Sequence, residues 1–166
     1  STILEVVDPD FIKHFLGMNN AGEILEDLAR RNLFIQSIHD RTLAAINRGH
    51  DAVAFLNAVE RASGGLILIC VHIILGLPGE TRDDMLQTAR MISDLPIQGI
   101  KFHSLLALGG TILGERYEKG EIALMSWEEY VRTVCDILEI LPPQMVIQRL
   151  TAEGYRDIFL GPVWAA

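Results

Sequence analysis

The sequence predicts an α/β fold built on a mainly parallel sheet of about five strands. Three observations predict it. Short apolar runs rich in β-branched residues alternate with amphipathic helical patterns along the chain. The clearest run, Leu66–Leu75, is apolar on both faces, as an interior parallel strand must be. The 166 residues, 49% hydrophobic and 22% charged, are enough for one domain, residues 1–166, with a sizeable core. About five strands are too few to close an eight-stranded barrel. An open or partial barrel and a flat doubly wound sheet both fit.

The elements follow in order. Residues 2–7 (TILEVV) read as a first strand, stopped by Asp8-Pro9, and Gly22–Arg31 as a short amphipathic helix. Leu33–Ser37 is the second strand. Asp40 is the expected N-cap of a helix that ends near Asn47-Arg48-Gly49, and Asp51 caps the next, with Val53, Leu56 and Val59 on one face. After Leu66–Leu75, the pattern Met85, Ala89, Ile92, Leu95 predicts a helix over 81–95. Gly99–Leu106 is the fourth strand. Ser126-Trp127-Glu128-Glu129 has the form of a capping box, opening a helix that buries Trp127, Tyr130, Val131, Val134, Cys135, Leu138 and Leu141. Met145–Leu150 is the fifth strand, set off by Pro142-Pro143.

Composition narrows the function classes. The formal net charge is −8, which argues against a broadly basic nucleic-acid surface while leaving room for a local patch. No apolar run reaches the ~18 residues of a membrane helix, so no membrane partner is expected. Two cysteines, Cys70 and Cys135, exclude a disulfide framework and point to a reducing, cytoplasmic setting. No histidine and cysteine pair has zinc spacing, so no metal ligands are assigned. A P-loop, a nucleophile elbow and a full dinucleotide fingerprint are all missing.

Parallel strands joined by crossovers bring their carboxyl ends to one edge, where the site belongs. Three places there could carry chemistry. Alternation puts Cys70, His72, Ile74 and Gly76 on one strand face. Gly76-Leu77-Pro78-Gly79-Glu80-Thr81 follows as a tight turn that either admits a ligand to the backbone or is only a short βα link. Gln36, on one face with Asn32 and Phe34, is either a ligand contact or an amide satisfied by backbone. Arg48, beside Gly49 and His50, is either a forked clamp for a carboxylate or a cation complementing a helix terminus. Lys101 and His103 share a face of the fourth strand, where a lone histidine is commonly a hydrogen-bonded core residue. His39 and His50 are expected at the surface, and Glu80, Asp83 and Asp84 are expected to solvate a helix start.

Taken together these strings resemble the radical S-adenosylmethionine (SAM) proteins, in particular a YhcC-like group related to the elongator-type catalytic subunit. The resemblance rests on Gln36–Leu43, Ile46–His50, Cys70–Thr81, Gly99–His103 and Val146–Thr151, in that order, and spans about residues 30–164. Residues 1–30 match poorly, although Asp8-Pro9-Asp10 would end an earlier barrel strand. The resemblance implies a partial parallel (β/α) barrel, a [4Fe-4S] cluster and SAM cleaved reductively to a 5′-deoxyadenosyl radical. It implies that Gln36 and Arg48 hold the methionyl end of SAM, that His72 meets the ribose, and that Ile74, Gly76 and the backbone of Leu106 meet the adenine.

The departures are specific. Three closely spaced cluster cysteines are missing, and so is the glycine-rich loop for the SAM amine. Where relatives read Glu-x-Gly-x-Gln, this chain reads Asn32-Leu33-Phe34-Ile35-Gln36, with Phe34 on the inward face. The expectation is therefore the C-terminal part of a radical SAM oxidoreductase core, or a degenerate relative, that does not run the radical reaction alone. The alternative is a non-catalytic binding module that self-associates through open barrel edges. RNA as a substrate of the parent enters by analogy with relatives only.

Overall fold

The structure, a computed structural model, describes residues 32–63, 68–152 and 157–166. The expected strand at 2–7 and helix at 22–31 lie outside the described residues. In chain order the elements are β1 (Asn32–Gln36), α1 (Asp40–Ala45), α2 (Ala52–Ser63), β2 (Cys70–Leu75), α3 (Arg82–Ser93), β3 (Gly99–Ser104), β4 (Ala107–Leu108), α4 (Ile112–Glu118), α5 (Trp127–Ile140), β5 (Val146–Arg149) and β6 (Phe159–Gly161). A single 3₁₀ turn, Val163–Ala165, follows.

Four strands form one parallel sheet in the order β1-β2-β3-β5. The two interior strands of this order are β2 and β3, and β2 is the run that the sequence shows apolar on both faces. Helical crossovers connect successive parallel strands, as they must where no tight hairpin can join them. A second sheet pairs the short β4 and β6 antiparallel.

Period-two alternation divides the sheet into two faces. Ile35, Val71, Ile73, Leu75, Ile100 and Phe102 turn to the helical layer and are buried against Phe55 and Val59 of α2, Met85, Ala89 and Ile92 of α3, and Tyr130, Val134 and Ile137 of α5. Each such side chain contributes roughly 1.5–3 kcal/mol by leaving water. The opposite face carries Cys70, His72 and Ile74 of β2 and Lys101 and His103 of β3, in register His72 with Lys101 and Ile74 with His103. The His72 and His103 rings stack there at 5.6 Å between centroids.

Several boundaries differ from the expectation for identifiable reasons. β2 starts at Cys70, and Leu68 before it is 72% exposed, so apolar composition runs on past the ladder. In α2 the buried pair is Phe55 and Val59, while Val53 and Leu56 face outward. In α5 the buried residues are Tyr130, Thr133, Val134 and Ile137; Trp127, Cys135 and Leu138 are exposed, which corrects the core assignment of Cys135. Asp40 is the first residue of α1 and not its cap; its Oδ1 instead accepts the Ala52 N–H at 2.9 Å and helps start α2. Asp51 caps α2, accepting the Ala54 N–H at 2.8 Å, and Ser126 and Glu129 form the expected capping box of α5.

Candidate functional site

The carboxyl ends of β1 and β2 and the C-terminal end of α1 surround a cleft of about 510 Å³. Three local devices shape its wall. At the end of β1 the pairing register shifts between Phe34 and Gln36, and Gln36 takes a left-handed backbone with φ 65°. Non-glycine residues pay for that conformation, and it is found where surrounding structure imposes it. The Gln36 Oε1 is buried and has no hydrogen-bond partner among the described residues.

The second device is the end of α1. Asn47, at φ 54°, donates its N–H to Ala44 at 3.0 Å, and Arg48 donates its N–H back to Leu43 at 2.9 Å. These paired bonds with a left-handed residue are a Schellman termination. It turns the chain so that Arg48 lines the same cleft as Gln36. Burial pulls the Arg48 guanidinium below its ordinary pKa.

The third device is the turn after β2. Ile74, Leu77 and Pro78 give the cleft an apolar wall, continued by Leu105. Gly76 sits at φ 86°, the conformation that favours glycine, and a Cβ there would also have to displace the Met125 side chain, whose Cγ it would meet at 2.9 Å. Gly76 faces a neighbouring cleft of about 710 Å³, which shares Leu77, Pro78 and Arg116 with the first.

The six residues singled out from the sequence therefore fall in different places. Gln36, Arg48 and Ile74 line one cleft. His72 is buried two residues below Ile74 on the same strand face. Gly76 borders the adjoining cleft, and Leu106 is half-buried in the link to β4, where Leu105 supplies the lining.

Sequence reasoning missed the polar cluster beneath this rim. His39 is not a surface residue: its Nε2 lies 3.0 Å from the Asp84 carbonyl oxygen, and its side chain is 12% exposed. Asp84 is buried, accepting from the Thr81 N–H at 2.8 Å and from Arg41 at 2.7 Å. The Thr81 amide, the Arg41 guanidinium and the Thr81 hydroxyl hold its carboxyl well below the usual carboxylate range. Glu80, half-buried, accepts a hydrogen bond from the Ser37 hydroxyl, and burial pushes its carboxyl up against that bond. The one available signal was Thr81-x-x-Asp84, a capping-box spacing.

Cysteine chemistry at the rim is excluded by position. The only two cysteines of the sequence are buried on β2 (Cys70) and exposed on α5 (Cys135), and burial raises the Cys70 thiol pKa, with Lys101 opposing. Among the described residues no group of three or more His, Cys, Asp or Glu could hold a metal ion. No helix of the described residues is long and apolar enough to cross a membrane.

Comparison with known proteins matches this arrangement to a family. The Radical SAM superfamily model matches residues 6–92, and the Radical_SAM C-terminal domain model matches residues 97–166. The chain belongs to the radical SAM superfamily. It is 44% identical over 133 residues to YtqA of Bacillus subtilis, covering 80% of this chain and 41% of YtqA. It is 33% identical over 132 residues to YhcC of Escherichia coli K12, covering 80% of this chain and 43% of YhcC. These relatives put the chain with the YhcC-like group of the superfamily, and it spans about two fifths of their length. The fold is also similar to Methanocaldococcus infernus Elp3, with a TM-score of 0.68 at 19% identity, covering 92% of this chain and 36% of that one.

Proposed function

We propose that the chain provides the SAM-binding side of a radical SAM core and that the cleft between β1, the end of α1 and β2 is where SAM binds. The observation that carries the reading is Gln36: a strained left-handed residue whose buried Oε1 has no hydrogen-bond partner among the described residues, lining one cleft with Arg48. A forked cation suits the carboxylate of the methionyl group, and the Gln36 amide suits a polar neighbour of that group. The apolar wall of Ile74, Leu77 and Pro78 suits the adenosyl end. The cleft volume lies in the range of small-molecule sites, roughly 300–1,000 Å³. SAM bound there supplies the adenosyl group whose one-electron cleavage is the general chemistry of the family.

The residues of this chain do not fit a [4Fe-4S] cluster. Such clusters of this family take closely spaced cysteine thiolates, and the two present stand 65 positions apart on different elements. The role proposed for these residues is accordingly to bind and orient SAM, and no radical step is assigned to them. Calorimetric titration of the chain with SAM and with S-adenosylhomocysteine tests the reading. Binding is expected with both, and Arg48→Ala is expected to weaken it about 30-fold, the equivalent of about 2 kcal/mol for a hydrogen-bonded charge pair. No heat with either compound would overturn the assignment.

A further inference from the structure

The three walls of the cleft come from separate stretches of chain: Gln36 at the end of β1, the C-terminal end of α1, and the end of β2 with the turn after it. Something must keep them in one arrangement. Glu80 stands where they meet. Its Oε1 accepts from the Ser37 hydroxyl, one residue beyond Gln36, and Ser37 is fully buried. That same hydroxyl accepts the His39 N–H at 3.0 Å, so it fixes the entry to α1 as well. The Ser37 link therefore runs from the β2 turn to both the end of β1 and the entry to α1. Glu80 itself closes the β2 turn, donating its N–H to the Leu77 carbonyl oxygen at 3.0 Å. Glu80 lines the neighbouring cleft and not the one holding Gln36 and Arg48.

We infer that Glu80 is a positioning residue for SAM binding: through the Ser37 hydroxyl, which also fixes the entry to α1, it holds Gln36 and Arg48 against the β2 turn without touching the ligand. This rests on the assignment of SAM to the cleft. Burial raises the pKa of this half-buried carboxylate, and the Ser37 hydroxyl bonds it against that cost. Such a group persists where its hydrogen bonds fix a specific geometry. Ordinary helix-start solvation, the expectation from sequence, would leave the group exposed.

The test is calorimetric titration of the full chain with S-adenosylhomocysteine, run well below the unfolding temperature of each variant and paired with thermal melts. Glu80→Ala and Ser37→Ala are each expected to weaken binding about tenfold, the scale of a lost charge-assisted hydrogen bond. The double variant should bind no worse than the poorer single one, because both cut the same link. Glu80→Gln keeps a carbonyl oxygen for the Ser37 hydroxyl and should restore binding to near the starting affinity. Unchanged affinity in folded Glu80→Ala, or losses that multiply in the double variant, would overturn the inference. If Glu80→Ala fails to fold, Ser37→Ala read against Glu80→Gln decides the matter in the same way. Loss of binding in Arg48→Ala with none in the Glu80 and Ser37 variants removes the positioning role and leaves the site; an unmodified chain that binds nothing removes both.

Discussion

Gln36 carries a conformational cost that its neighbours do not. A left-handed backbone at a non-glycine residue stores of order 1–3 kcal/mol, and glycine relieves it. Gln36→Gly is therefore expected to raise stability by about 1 kcal/mol, while removing the amide weakens SAM binding. Urea denaturation and titration on the same variant check both halves; a variant that is neither stabler nor weaker in binding contradicts the role. The twelve-residue spacing from Gln36 to Arg48 was legible in the sequence. The left-handed turn was not, because no local signal marks glutamine for that backbone. Glu80 and Asp84 were read as solvent-facing because charge near a helix start is commonly exposed. Only the fold of the Ser37–Arg41 stretch onto that helix buries them.

At the scale of elements, α3 depends on the reciprocal cap between Thr81 and Asp84. Asp84 has a folded pKa below its unfolded value of about 3.9. Its stabilisation is therefore complete above that unfolded value and drains away as pH falls through it toward the folded one. Thermal melts of the chain and of Asp84→Asn should differ most near neutrality and converge below about pH 4; a constant gap down to pH 2.5 contradicts the assignment. Of the elements that the sequence pattern announced, β1, β2, β3, β5, α3 and α5 are present, while the strand at 2–7 and the helix at 22–31 lie outside the described residues. Those it missed are too short or too irregular to show a period. β4 and β6 span two and three residues, and α4 buries a glycine, Gly114, while presenting Ile112 to solvent at 80% exposure. Leu138 and Trp127 fell on the wrong side of α5 because apolar composition was wider than the stripe that packs.

Over the whole molecule, one sheet crosses the boundary between the two family matches. β1 and β2 lie in the first and β3 and β5 in the second, yet β2 and β3 pair along six consecutive positions. The two matched regions therefore share a core, and unfolding is expected to be a single transition. Phe102, fully buried on β3, sits in that shared layer. Phe102→Ala should cost about 3–5 kcal/mol, a large part of the total for a domain of this size. Chemical denaturation followed by circular dichroism and by fluorescence should give coincident curves with the midpoint lowered; separate midpoints would mean two independent units.

Met125 reaches in two directions at once. Its side chain lies over Gly76, in the turn between the two clefts, while its carbonyl oxygen accepts the Trp164 indole N–H at 2.9 Å. Trp164 in turn packs its ring on Tyr130 and Trp127. Met125 thus links that turn to the sequence's two indoles, and a change at the turn is expected to register in their intrinsic emission without an added dye.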